Sequence, residues 1–318
     1  MKTRPASSAA PRLAWPDGKR FAFTAFDDAD YDRLINTRPV YDFLAELGIL
    51  TTKSVWTLAA QREGPLGGLS TEEPAYLEWT QGLQRAGFEI GAHGVRCHSS
   101  TRAETQLGLD RFRAQFGHDP HSMSNHFQNA DSIYWGAARL TGWPQRIYRL
   151  ANFRSRLRAE GHITTSPHFW GDLCRDRIRY VRNFVFRDIN TLAMCPFMPY
   201  RDSAFPFVNA WYASAEGADV RSFNEMLGEA NQDLLAAEGG ACIMYTHFAK
   251  GFFKDGKLEP RFVELMKRLA GLGGWFVPVG TLLDFLAAQH GGVHAITRAE
   301  RSALQRRWLF TKLRHGSS

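Results

Sequence analysis

Residues 21–28 read Phe21-Ala22-Phe23-Thr24-Ala25-Phe26-Asp27-Asp28, a short, apolar, aromatic-rich run of strand length that stops at two adjacent carboxylates. Helix and strand then alternate. Pro39 to Leu47 carries Val40, Phe43, Leu44 and Leu47 at helical spacing, with Gly48 where a helix terminator belongs, and Ile49 to Trp56 reads as a second strand. Ser70-Thr71-Glu72-Glu73 has the capping-box pattern ahead of Tyr76, Leu77, Trp79 and Leu83; Gly87 then separates that helix from a strand at Phe88 to Ala92, which ends at His93. A second capping box, Thr101-Arg102-Ala103-Glu104, opens a helix with Leu107, Leu109, Phe112 and Phe116, closed by Gly117 before the segment Met123 to His126. Residues from about 150 to 235 show no clear period. Cys242 to Thr246 resumes a strand that ends at His247, Trp275 to Val279 reads as the last strand, and Thr281 to Ala288 as the closing helix.

This order predicts parallel strands joined by helical crossovers, hence a barrel or a doubly wound sheet. Asp27, Asp28, His93 and His126 all fall just after strands, where parallel α/β architectures gather their sites.

The composition agrees with a soluble globular chain: 318 residues, 44% hydrophobic and 22% charged. That length accommodates one α/β barrel with terminal additions. The net charge of +7 is concentrated at the C-terminus, where six Lys or Arg after residue 297 face the single acid Glu300. The rest of the chain is nearly neutral, which argues against nucleic-acid binding. Cys97, Cys174, Cys195 and Cys242 lie far apart without a C-x-x-C, so neither a zinc ribbon nor a dense disulfide framework is expected. With no apolar core in the N-terminal stretch and no window of about 18 apolar residues, the expectation is a cytoplasmic protein.

Two adjacent carboxylates at a strand end repel one another unless a cation, a proton or several donors compensate them, although Asp pairs also serve as caps and turns. His93 lies in Gly91-Ala92-His93-Gly94-Val95-Arg96-Cys97-His98, and the Gly-rich loop could turn both rings toward one ion. Imidazoles with one carboxylate and an open position suit a catalytic zinc, which lowers the pKa of bound water toward about 7. Two surface histidines would read the same way. His247 closes an apolar strand at the same end of the fold as the acids, as a catalytic or a satisfied core histidine would.

Four stretches, in order, resemble the polysaccharide deacetylases (carbohydrate esterase family four, the NodB-homology domain). Phe23-Thr24-Ala25-Phe26-Asp27-Asp28 is similar to the family's T-F-D-D motif, and Leu47-Gly48-Ile49 followed by Thr51 and Thr52 to its second strand. Gly87-Phe88-Glu89-Ile90-Gly91-Ala92-His93 resembles its G-[HF]-E-I-G-x-H, and Tyr245-Thr246-His247 its late L-x-H. The resemblance covers residues 17–289 and implies a single-domain, distorted (β/α)7-type barrel, flanked by an N-terminal arm (1–16) and a basic helical C-terminal extension (290–318).

It further implies a metal-dependent hydrolase that removes an N-acyl, usually acetyl, group from an amino sugar. Asp27 would be the general base, His247 the general acid, and Asp28 and His93 ligands of one divalent ion, zinc first. His98 would be the remaining ligand, with His126 the alternative because His98 follows His93 by five residues where the family has four. The family's arginine, which holds the base, is absent where expected, where the chain reads Met123-Ser124-Asn125-His126; either Asn125 or His126 would replace it, or the base would not be held at all. Trp170-Gly171-Asp172 is the nearest counterpart of the family's tryptophan-and-aspartate motif, with Asp172 a candidate to orient His247 and a solvated loop residue the competing reading.

Without an export signal, the expected substrate is a nucleotide- or lipid-linked precursor of a surface polysaccharide such as O-antigen. A catalytically silent saccharide-binding barrel and a hydrolase of a non-sugar amide are the alternatives. The C-terminal extension, opened by the box Thr297-Arg298-Ala299-Glu300, would either touch phosphates or a membrane surface peripherally or pack on the barrel or a second subunit. Its apolar residues surround the helix instead of forming one stripe, which favours packing. Self-association is left open.

Overall fold

The computed structural model describes residues 13–61, 66–126, 129–152 and 158–315. Seven parallel strands close a barrel: β1 (Ala22–Asp27), β2 (Thr52–Val55), β3 (Glu89–Ala92), β4 (Ser122–Met123), β5 (Tyr180–Phe186), β6 (Ala210–Ala215) and β7 (Ala241–Thr246). The register pairs Asp27 with Lys53, Val55 with Ala92, Met123 with Val181, Phe186 with Ala215, and β7 back with β1 through Thr246 and Asp27. This is the (β/α)7 barrel expected from the sequence. β4 is only two residues long, and this distorts the ring on the side where the long, irregular connection to β5 begins.

β1 is apolar throughout because both of its faces are buried. Phe21, Phe23 and Ala25 join a cluster with Tyr41, Phe248 and Phe262, while Ala22 and Phe26 join another with Met123, Phe184 and Tyr212. The split follows the two-residue period of a strand.

Helix α1 (Leu34–Glu46) begins five residues before Pro39, because the Asn36 side chain accepts from Arg33 N (2.9 Å) and forms the first turn there. Helix α2 (Pro74–Arg85) keeps the Ser70–Glu73 box as a turn just outside it, and Pro74 takes the first helical position. Helix α3 (Arg102–Phe116) has its capping box on Thr101 and Glu104 and its left-handed glycine at Gly117 (φ 82), as the sequence predicts. Trp275–Phe276 is a short parallel strand on the first half of β1 and stands outside the closed ring.

The described ends of the chain pack on the barrel. Trp15, in the expected N-terminal arm, is buried and donates to Gly239 O (3.0 Å), while residues 1–12 lie outside the described residues. The C-terminal helix Arg298–His315 buries Leu304, Trp308 and Leu309 in the main core, and Arg301 Nε bonds Asp202 Oδ2 (2.7 Å). The extension therefore packs on the barrel. All four cysteines are buried as thiols, and no described helix is long and apolar enough to cross a membrane.

Candidate metal centre and hydrolytic site

The parity of β1 sorts the acids that follow it. Asp27 continues the face of Phe23 and Ala25, turned toward α1, whereas Asp28 falls on the face of Phe26 and looks into the barrel mouth.

On the inner side, Asp27 accepts from Tyr41 OH (3.1 Å) and Phe248 N (2.7 Å), and its carboxylate lies 3.0 Å from Lys53 Nζ. The same ammonium meets Asp32 at 2.5 Å, and Asp32 also accepts from Tyr76 OH (2.7 Å) and Thr37 Oγ1 (2.9 Å). Asp27, Asp32 and Lys53 are all fully buried. Burial pushes the Asp27 carboxyl up to about 6, against the pull of Lys53. The segment 27–32 is thus fastened at both ends by one lysine.

Between those ends, Asp28 and Asp30 face a cavity of about 960 Å³ at the C-terminal mouth of the barrel. Arg182 of β5 grips Asp28 with two parallel bonds, Nη1 to Oδ1 (2.9 Å) and Nη2 to Oδ2 (2.6 Å), and Ser124 Oγ donates to Oδ1 (2.8 Å). Burial alone would raise the Asp28 carboxyl; the Arg182 charge, and His93 after it, bring it below the usual range. Asp28 is therefore a pinned carboxylate.

Asp30 is the convergence point. His93 Nε2 (3.1 Å), His126 Nε2 (3.1 Å) and His247 Nε2 (3.2 Å) all point at its two oxygens. The far side of each ring fixes its tautomer. His247 Nδ1 meets the carbonyl of Ala218 (2.7 Å), which can only accept. His126 Nδ1 meets Asn129 Oδ1 (3.1 Å), an amide oriented by its own bond from Nδ2 to Arg96 O (3.2 Å). His93 Nδ1 meets Ser124 Oγ (2.7 Å), whose single proton is given to Asp28. Every Nδ1 must therefore donate, so each neutral ring turns an Nε2 lone pair toward a carboxylate that also only accepts. Only protons or a cation resolve that arrangement. Burial opposes the charge on Asp30, but bonds from the three rings bring its carboxyl far below the usual range, and the bond to Asp30 raises His126 against its burial.

Asp30, His93 and His126 place one ligand atom each within 4.8 Å of one another, as do Asp28, Asp30 and His247. One carboxylate and two imidazoles, each imidazole braced by an acceptor behind it, is a donor set suited to a divalent ion of the zinc type. The indole of Trp56 lies against His93 (6.0 Å between ring centroids, 24° between planes) and donates to its carbonyl (2.8 Å), holding that ring in place.

The sequence-based candidates divide. The structure brings Asp28, His93, His126 and His247 together and leaves four others elsewhere. Asp27 does not line the cavity, because its carboxylate is spent on Lys53, Tyr41 and Phe248. His98 turns away and accepts from Gln61 N (3.1 Å). Asp172 is held by Arg102 (2.6 and 2.7 Å), and the backbone carbonyl of Ala218 orients His247 in its place. Trp170 is buried and donates to Asp131 O (2.6 Å). Asn125 lines the cavity but uses its amide on both backbone groups of Ile133 (2.7 and 3.0 Å), so it holds no carboxylate.

Sequence reasoning missed Asp30 and Arg182. Each left a signal: Asp30 continues the acidic run Asp27-Asp28-Ala29-Asp30, and Arg182 interrupts Tyr180-Val181-Arg182-Asn183-Phe184-Val185-Phe186, where a cation on a mostly apolar strand demands a partner.

No family model matches the sequence, and no curated protein matches it significantly. Solved structures do match. A Mycobacterium smegmatis protein assigned as a polysaccharide deacetylase superposes with a TM-score of 0.51 at 14% identity, over 92% of this chain and 98% of its own. PuuE allantoinase gives 0.48 at 14% identity, over 91% of this chain and 99% of its own. The peptidoglycan deacetylase PdaC from Bacillus subtilis gives 0.40 at 12% identity, over 92% of this chain and 98% of its own. The chain has the barrel fold of the first of these.

Proposed function

We propose that this chain is a metal-dependent hydrolase of a C–N amide bond, with an N-acyl amino sugar as the leading substrate class. One observation carries the reading: three imidazole lone pairs and the carboxylate of Asp30 converge at the floor of a cavity that also exposes Asp28, pinned by Arg182. Asp30, His93 and His126 would hold a divalent ion. When bound, that ion would polarise the scissile carbonyl and acidify a water molecule.

The chain's own groups supply the proton traffic. Asp28 is ionised and accepts one bond at Oδ2, so that oxygen keeps a lone pair for the proton of the attacking water. Arg182 fixes its direction and keeps it from turning toward the histidines. His247 anchors Nδ1 on Ala218 and presents Nε2 to the cavity, where its protonated form would donate to the departing amine. Under this assignment the base and the first metal ligand are Asp28 and Asp30, and Asp27 is a buried support.

Elemental analysis of the purified protein tests it. About one divalent ion per chain is expected in wild type and in Asp27→Asn, and none in folded Asp30→Ala or His126→Ala. Release of acetate from N-acetyl amino sugars should follow the metal. A metal-free wild type after reconstitution, or metal retained in Asp30→Ala, would overturn the assignment.

A further inference from the structure

The cavity has a second end. Besides the acids and histidines, it is lined by Arg139, Arg149 and Arg158 from one stretch of the chain and by Lys312 from the C-terminal helix, while Lys250, next to His247, lies by the acids. With Arg182 included, its wall carries six cations against three carboxylates, Asp28, Asp30 and Glu160. Asp28 and Arg182 neutralise each other, which leaves five cations against two carboxylates.

Arg139 is the fixed element of this end. It is 2% exposed and its guanidinium lies between two indoles, 4.0 Å from the Trp135 ring and 4.5 Å from the Trp308 ring. Nη1 donates to Asn183 O (3.0 Å), the Tyr148 side chain is a second hydrogen-bond partner, Nε is buried without a partner, and no carboxylate among the described residues is paired with it. A buried charge that is held by π faces, a carbonyl and a phenol, with no carboxylate beside it, is costly unless something anionic arrives.

Lys312 adds a second cation from the C-terminal helix, with its ammonium 5.7 Å from the Trp308 ring. Burial, and then the charge of Arg139, push that ammonium down to about 8; Glu216 is the acid that opposes the shift. Arg182 and Arg139 likewise repel each other. Arg182, Arg139 and Lys312 thus crowd one cavity, Arg182 with Asp28 and Lys312 with Glu216 beside it, and Arg139 with no carboxylate paired to it among the described residues.

We infer that this end of the cavity is an anion subsite, and that the substrate carries a phosphate-type dianion some distance from its scissile amide. The inference rests on the hydrolase reading for the word substrate, but the subsite itself does not. Several cations match a dianion better than a single carboxylate, and a volume near 960 Å³ leaves room for more than an acylated ring.

Titration calorimetry with inorganic phosphate at low salt tests the subsite. Wild type is compared with Lys312→Gln, with the exposed-surface control Lys254→Gln, which removes the same net charge, and with Asp30→Ala, which removes the metal end. Metal content is measured on the same samples. Saturable binding is expected in wild type, weakened about tenfold in Lys312→Gln and unchanged in Lys254→Gln and Asp30→Ala. Acetate, a monoanion, should bind more weakly than phosphate. No saturable binding, equal affinity in Lys312→Gln, or loss of binding in Asp30→Ala would overturn the subsite. Phosphate binding that depends on Lys312 in a chain that takes up no metal would sustain the subsite while the hydrolase reading falls.

Discussion

Four aspartates within six residues, Asp27, Asp28, Asp30 and Asp32, do two different jobs. The outer pair faces the cavity, one carboxylate gripped by a guanidinium and the other surrounded by imidazoles. The inner pair faces a single buried ammonium and two tyrosine hydroxyls, out of reach of any substrate. Residue type alone does not distinguish them. Strand parity separates Asp27 from Asp28, whereas Asp30 and Asp32, both beyond the end of the strand, are separated by the turn that follows and by what each one meets.

The largest expected effect tests that division directly. Asp28→Asn should lower kcat by about 10² to 10⁴-fold, the usual contribution of a positioned general base, with metal content retained. Asp27→Asn should change kcat by less than about tenfold, because its carboxylate touches no reacting group. Steady-state kinetics with an N-acetyl substrate would check both, and a deeper loss in Asp27→Asn would return the base to Asp27.

The next effect concerns stability. Lys53→Met leaves Asp27 and Asp32 buried without their cation and should cost about 3–5 kcal/mol in denaturant unfolding. The triple variant Lys53→Met, Asp27→Asn, Asp32→Asn should recover most of that loss, since the unpaired charges go with the lysine. Failure to recover would mean that Lys53 acts mainly through packing.

Asp131 sharpens the comparison from a third side, as a buried carboxylate with no Lys or Arg paired to it among the described residues. It accepts from Ser100 N (3.0 Å), and burial pushes it up to about 6. A carboxyl raised in the folded state contributes stability below about pH 4 that is lost as pH rises through about 6, at most about 3 kcal/mol. Asp131→Asn keeps the acceptor and removes the titration. Its Tm relative to wild type should therefore climb by a few degrees between pH 4 and pH 7, and a difference independent of pH would show that Asp131 is ionised throughout.

Much of this molecule is legible in its sequence. β1, the capping box of α3 and the histidines at strand ends are written in local signals, and the order of elements gives the barrel. The acidic segment is legible only as a group: a one-residue change of parity exchanges Asp27 and Asp28, the turn beyond the strand decides between Asp30 and Asp32, and the apolar run of β1, buried on both faces, does not announce which face is which. The sequence puts His98 ahead of His126 because the Gly-rich loop after His93 could turn that ring toward the ion, and here the backbone N–H of Gln61 holds His98 outward. Arg182 stayed hidden because β5 is buried along its whole length and β6 reads Ala210-Trp211-Tyr212-Ala213-Ser214-Ala215, so neither strand shows an alternation to anchor the region between 150 and 235.

The burial of Cys97, Cys174, Cys195 and Cys242 makes the native chain a quiet background for maleimide chemistry. Phe310, 64% exposed on the C-terminal helix, offers the complementary position: a fluorophore on Phe310→Cys would be the single bright label on the folded protein. Its anisotropy would report whether the helix that carries Lys312 stays docked while ligands enter and leave.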